Sequence, residues 1–322
     1  MKLIADRIRV GLALGGGAAR GLAHLGILRV LEEEGIAIGA IAGTSMGALI
    51  GGMYALRPDA REVRARVLEV LFSKDFLRVK VEYMKALREV KESSVFRTFT
   101  NYVRRTVFHN VVLNRQSFLP PDRYGRYISA FVGDRLIEET LIPFAAVATD
   151  IRSGEEVVIT RGSMRTAVAA SCAIPGILPP VTLDGLMLVD GGWVDQVPVG
   201  PVTALGADVV IAVEIGADIE DSDGLLRNGL EMVLRANAIT RNTLCRLQLS
   251  RADFLIRPAT ESIVWADFKR AEEAIACGEA AARAAMPAIR ATLNRRLVGG
   301  GKDSSGVAST PAPGGGRPLA AR

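Results

Sequence analysis

Apolar runs of strand length alternate with stretches of helical periodicity in the first sixty residues and again beyond residue 140. Residues 8–14 and 36–42 read as buried strands, each followed by helical patterning, at 18–34 and 46–56. The alternation resumes with strands at 144–149 and 156–160, a helix at 163–171, and strands at 186–189 and 209–214. Strands interleaved with helices predict an α/β fold, a mainly parallel sheet sandwiched by helices on both faces. Ligands in such sheets bind beyond the carboxyl ends of the strands. Gly15, Ser45 and Asp190 each come directly after a predicted strand, which predicts that they share one rim.

Between residues 57 and 135 the regular alternation gives way to helical, charged and aromatic sequence. Val63, Val67, Val70 and Leu71 mark an amphipathic helix, and Phe76, Tyr83, Phe96, Phe99 and Tyr102 follow among many Lys and Arg. Two readings stand side by side. The segment is a helical cap whose apolar face is core, or a lid whose aromatic and basic residues, over about 57–108, meet an anionic membrane. Two long helices, 224–249 and 266–297, flank a short strand at 254–257, and their alanine-rich pattern shows packing and no chemistry. Residues 299–322 are Gly, Ser, Pro and Ala with few apolar anchors, the composition of a disordered tail. The expected organisation is one domain over 1–298, with the insert at 57–135, and that tail.

Composition narrows the classes. Hydrophobic residues make up 49% of the 322, enough for a large core. Cys172, Cys245 and Cys277 are widely spaced, which argues against a zinc site or a disulfide framework and for a reducing compartment. The first ten residues lack a signal-peptide pattern, so a cytoplasmic location is expected, with peripheral contact at the inner membrane face. No charge occurs between Glu34 and Arg57, and Gly43, Gly47 and Gly51 have the spacing of packed membrane helices. The glycines around Thr44 and Ser45 make a poor continuous helix, so a buried strand, a turn and a buried helix is the better description. The net charge of +5 favours anionic partners, yet no nucleic-acid-binding motif accompanies it.

Three short motifs carry chemistry. Gly43-Thr44-Ser45-Met46-Gly47 has the Gly-x-Ser-x-Gly frame that places a serine on a sharp strand-to-helix turn, with a helix N-terminus to favour developing negative charge. Such a serine ordinarily uses a histidine base, but the chain has only His24 and His109 and none after Asp190, so the order Ser, Asp/Glu, His is excluded. Gly15, Gly16 and Gly17 end the first strand and lead into a helix, leaving backbone N–H groups to stabilise an oxyanion. A nucleotide loop is the competing reading; the Gly-Lys-Ser/Thr ending of a P-loop is absent, and Gly21 falls one residue late for a dinucleotide fingerprint. Asp190-Gly191-Gly192 reads either as a hairpin turn or as a turn that also presents a carboxylate. No acidic or cysteine spacing resembles a metal site, and no cofactor is expected.

The run from Leu12 through Gly21 to Gly26, the Gly43–Gly47 elbow, Ala170-Ser171-Cys172-Ala173-Ile174-Pro175 and Asp190-Gly191-Gly192 together resemble the patatin-like phospholipase family. Among its members the chain is most similar to bacterial relatives of the catalytic domain of neuropathy-target-esterase-type lysophospholipases. The resemblance implies a three-layer fold and a Ser45/Asp190 dyad, with Gly43 and Gly47 shaping the elbow and Gly191 and Gly192 behind the aspartate. It implies hydrolysis of an acyl ester of a phospholipid, lysophospholipid or related lipid through an acyl-serine, without metal. An acyltransferase using the same dyad and a catalytically silent lipid- or membrane-binding module are the alternatives. Arg20 and Gly21 belong to the glycine loop in the family, Arg20 to brace the turn or meet an anionic head group. His24 has a family counterpart that is packed, not basic in catalysis. One departure is clear: relatives commonly carry asparagine before a Pro-Val, where this chain reads Trp193-Val194-Asp195-Gln196-Val197-Pro198-Val199.

Overall fold

The computed structural model describes residues 8–73, 117, 119–215, 229–298 and 317–321. In chain order its elements are β1 (Val10–Leu14), α1 (Ala23–Glu33), β2 (Ile38–Thr44), α2 (Met46–Leu56), α3 (Ala60–Leu71), α4 (Pro121–Val132), β3 (Phe144–Asp150), β4 (Glu156–Gly162), α5 (Met164–Ser171), β5 (Val181–Leu183), β6 (Leu186–Asp190), α6 (Val199–Ala204), β7 (Val209–Val213), α7 (Gly229–Leu249), β8 (Phe254–Ile256), α8 (Ala271–Val298) and β9 (Arg317–Ala321). Short 3-10 turns cover Ala18–Leu22 and Gly191–Trp193.

The strands form one sheet in the order β5-β6-β3-β2-β1-β7-β8, with β4 paired to β3 and β9 to β4. Pairs β1/β2, β1/β7, β2/β3, β7/β8 and β4/β9 are parallel; β3/β4, β3/β6 and β5/β6 are antiparallel. The sheet is therefore mixed and mostly parallel, as the alternation of strands and helices predicted.

Alternate residues of the central strands differ in size, and this divides the core in two. Val10, Leu12 and Leu14 of β1, Ile41 of β2, and Val209, Ile211 and Val213 of β7 join a large apolar cluster with α1, α2, α3, α4, α5 and α8. Ala13, Ala40, Ala42, Ala145 and Ala212 point to the opposite face, where Val199 and Val202 of α6 and Cys245 and Leu249 of α7 cover them. Small residues on that face let a thinner layer lie close to the sheet, the period-two sorting expected of strands buried on both sides. On the thick face α1 and α8 approach so closely that a Cβ at Gly26 would lie 2.1 Å from the Ile275 carbonyl oxygen, and one at Gly278 2.0 Å from that of Ala23.

Val63, Val67, Val70 and Leu71 of α3 are buried, as are Tyr124, Ile128, Phe131 and Val132 of α4. The two ends of the 57–135 insert thus belong to the core layer. The aromatic and basic residues from Phe76 to Phe108, on which the lid reading rested, lie outside the described residues. The uncharged stretch between Glu34 and Arg57 is β2, a turn and the eleven-residue α2. Among the described residues no helix is long and apolar enough to cross a membrane.

The expectation for the C-terminal tail needs one correction. Arg317–Ala321 is a strand parallel to β4, with Val157 opposite Arg317 and Val158 opposite Pro318. Composition could not show this, because pairing to an edge strand uses backbone groups that any sequence carries.

Candidate active site

Ser45 occupies a turn that few side chains tolerate. It follows β2 and precedes α2 with φ 55° and ψ −121°, a region that costs a non-glycine residue about 1–3 kcal/mol. The surroundings enforce it. A Cβ at Gly43 would lie 2.4 Å from the Gly47 carbonyl oxygen, and one at Gly47 2.0 Å from that of Leu14, so both flanking positions admit only glycine. The Ser45 N–H donates to Ser171 Oγ at 2.9 Å, and that hydroxyl donates to the Val147 carbonyl at 2.6 Å. Thr44 Oγ1 donates to the Asp195 carbonyl at 2.8 Å, fixing the preceding residue. The serine of the Ala-Ser-Cys-Ala-Ile-Pro block therefore holds the elbow.

Asp190 reaches Ser45 from an unexpected direction. It is the last residue of β6, which runs antiparallel to β3 and so enters the rim from the side opposite to β1 and β2. Thr44 lies opposite Val147 and Asp190 opposite Ala148, one position further along β3, which brings Asp190 level with Ser45. The shared rim is as predicted; the direction of approach is not, because a short hairpin with β5 reverses β6.

The Asp190 carboxylate is 5% exposed and accepts the Gly192 N–H at 2.8 Å. Burial raises its pKa above the ordinary 3.8, while hydrogen bonds from the Ser45 side chain and the Gly192 amide, and the charge of Arg241, oppose the rise. Its own N–H donates to the Ala173 carbonyl, and Thr149 Oγ1 donates to its carbonyl oxygen. Cys172 also borders the pair, and burial and the Asp190 charge push its thiol up in pKa, opposed by the Ser45 side chain.

The glycine loop distributes its amides unevenly. The Gly15 N–H donates to the Val213 carbonyl at 3.0 Å and that of Gly16 to the Gln196 carbonyl at 3.1 Å, so neither is free for a ligand. The Ala19 N–H donates to the Trp265 carbonyl and that of Arg20 to the Gly17 carbonyl. Among the described residues no acceptor meets the Gly17 and Ala18 amides, and both residues line the cavity over Ser45. The expectation that the oxyanion donors come from Gly15, Gly16 and Gly17 is thus corrected for the first two: parallel strand pairing uses the Gly15 amide, and the loop after Asp190 uses that of Gly16.

Arg20 donates to the carbonyls of Ile263, at 2.6 Å, and Glu261, at 3.3 Å, which is the bracing role. Gly21 packs on Met46, where a Cβ would lie 2.6 Å away. His24 is fully buried, its Nε2 2.8 Å from the Gly15 carbonyl oxygen, and burial lowers its pKa to about 4. It supports the loop from beneath and does not line the cavity. His109 lies outside the described residues.

The departure after Asp190 also has a structural outcome. Gln196 Nε2 donates to the Gly16 carbonyl at 2.8 Å and its Oε1 accepts from Arg241 at 3.2 Å, so this carboxamide ties the glycine loop to α7. Asp195 is buried against Glu156, and burial, then the Glu156 charge and hydrogen bond, hold its pKa well above 3.8.

Arg241 is the site residue that sequence reading missed. It donates through Nε to the Gly192 carbonyl at 2.9 Å and stacks on Trp193 at 4.7 Å from the ring centroid. A signal existed: Ala238, Arg241, Cys245 and Leu249 share one helical face, and an arginine on an otherwise small or apolar stripe asks for a buried partner. The cavity above Ser45 has a volume of about 490 Å³ and is bordered by Gly17, Asp190, Ile215, Arg235, Arg241 and Trp265, among others. Such a volume accommodates a small organic group rather than a macromolecule.

A strained serine on a strand-to-helix turn thus lies beside a buried carboxylate on an α/β sheet, with two backbone amides that have no protein acceptor among the described residues. Residues 12–203 match the family model described as patatin-like phospholipase, and the chain belongs to that family. An uncharacterized NTE family protein of Mycobacterium tuberculosis is 35% identical over 207 residues, 64% of this chain and 49% of that protein. Lysophospholipase NTE1 of Yarrowia lipolytica is 33% identical over 213 residues, 66% of this chain and 13% of that one, and its Kluyveromyces lactis namesake 31% identical over 84% and 19%. The chain thus spans about half the length of the mycobacterial relative and less than a fifth of the fungal ones. The crystal structure of VipD from Legionella pneumophila aligns over 88% of this chain and 67% of its own, at a TM-score of 0.47 and 15% identity.

Proposed function

We propose that this protein is a metal-independent serine acyl hydrolase that cleaves an acyl ester of a phospholipid or lysophospholipid through an acyl-Ser45 intermediate. The observation that carries the reading is the Ser45 side chain beside a buried Asp190, with no histidine lining the cavity among the described residues. Asp190 accepts the hydroxyl proton as Oγ attacks the ester carbonyl carbon. Its raised proton affinity brings it closer to the strength such a base needs. The Gly17 and Ala18 amides receive the developing oxyanion, and loss of one such donor costs about 3 kcal/mol of barrier. Collapse of the tetrahedral intermediate expels the alcohol, which takes the proton from Asp190. Water then repeats the cycle on the acyl-serine and releases the fatty acid.

Membership of a phospholipase family and relatives named lysophospholipases support the lipid substrate. A panel of p-nitrophenyl esters and lysophospholipids, assayed in EDTA, tests the function. Turnover by the wild type and none by Ser45→Ala is expected. Turnover that requires added Ca²⁺, or that survives Ser45→Ala, contradicts it.

A further inference from the structure

Helix α7 has two unlike faces. At 100° per residue, Ala238, Arg241, Cys245 and Leu249 lie on the side packed against the sheet and the cavity. Met232, Val233, Ile239, Leu244 and Leu247 fall within one arc of about 140° on the opposite side. These five are 37–66% exposed. No charged residue of α7 falls on that arc, which the five share with Ala236, Thr240 and Thr243, and an exposed apolar surface of this kind marks an interaction site.

One edge of the stripe is basic. Arg235 and Arg246 flank it on one side, Arg251 follows the helix, and Glu231 is the single acidic residue between 229 and 251. Arg235 also borders the cavity over Ser45, as does Trp265, which is 40% exposed next to Val264 at 60%. A largely apolar helix face with arginines along one edge, beside the mouth of a cavity that ends at Ser45, has the layout of a helix lying in a lipid interface. A second copy is a poorer occupant, since a two-fold contact through this face would gather arginines from both copies with few acidic groups to offset them.

We infer that the outward face of α7, together with Val264 and Trp265, is a docking surface that seats on an anionic phospholipid bilayer and sets the cavity mouth against the lipid. The inference rests on the lipid-hydrolase reading for its purpose, but not for its test. The apolar side chains enter the acyl boundary while the arginines meet lipid phosphates, and substrate passes from the bilayer into the cavity along the helix.

The experiment is sedimentation of the full chain with equimolar phosphatidylglycerol/phosphatidylcholine vesicles at low salt. The wild type should pellet, and the combined variant Met232→Gln, Val233→Gln, Leu247→Gln should bind at least roughly tenfold more weakly, with turnover of a soluble short-chain ester retained. Added salt should weaken wild-type binding, and Arg246→Gln should reduce that salt dependence. Equal pelleting of wild type and triple variant overturns the inference. So does a dimer in solution that the triple variant dissociates, which would assign the face to a second copy. Slow peroxide oxidation of Met232 without vesicles would assign it to another segment of the same chain. If Ser45 proves inert while the vesicle result holds, the hydrolase reading fails and the docking surface stands.

Discussion

Replacing Ser171 by alanine removes the support under the Ser45 backbone without touching the Ser45 hydroxyl. Ser171 Oγ accepts the Ser45 N–H at 2.9 Å and donates to the Val147 carbonyl at 2.6 Å, and the side chain is fully buried. In Ser171→Ala the Ser45 amide loses its acceptor, at a cost of about 1–3 kcal/mol for a buried donor left unpaired. The Val147 carbonyl keeps its strand position, so its loss is smaller, and the total is about 2–4 kcal/mol. For a domain of this size that lowers the melting temperature by roughly 3–6 °C. The catalytic effect comes from geometry: with φ at 55°, Ser45 is held in a region it would otherwise leave, and a shift of about 1 Å costs on the order of a hundredfold in rate. Thermal unfolding gives the first quantity and the rate of active-site phosphonylation the second. A variant melting within about 1 °C of the wild type and labelled at the wild-type rate would refute the role assigned to Ser171.

Arg241 opposes the rise in the Asp190 pKa, so Arg241→Gln should move the acid limb of kcat/KM to higher pH; a limb that stays in place or moves down contradicts that electrostatic link. Asp195 has a folded-state pKa above its unfolded value, so the stability it contributes is complete below about pH 4 and lost as pH rises through the folded pKa. Asp195→Asn, whose amide can donate to Glu156, should therefore flatten the decline of melting temperature above pH 4 and melt higher than the wild type at pH 8; parallel curves would show that the pair carries no such burden.

The layering of this fold was legible because buried strands write their period into the sequence: the large residues of β1 and the alanine between them face different helices. The serine elbow was legible because Gly43 and Gly47 are demanded by backbone atoms within 2.4 Å of any Cβ. Three features escaped. The reversal of β6 depends on a three-residue pairing with β5, too short to leave a pattern. The use of the Gly15 and Gly16 amides depends on carbonyls of Val213 and Gln196, nearly two hundred residues away, and no local motif reports which donors remain. Arg241 reaches the site from a helix whose periodicity announced only packing, although its place on the inward stripe was visible.

The central claim is that Ser45, activated by Asp190, is the nucleophile. Reaction with a fluorophosphonate followed by peptide mass mapping tests it most directly. The account predicts one adduct, on Ser45, absent in Ser45→Ala and formed at least roughly tenfold more slowly in Asp190→Asn, a loss of about 1.4 kcal/mol or more. An adduct on another residue, or an Asp190→Asn variant labelled as fast as the wild type, would contradict it.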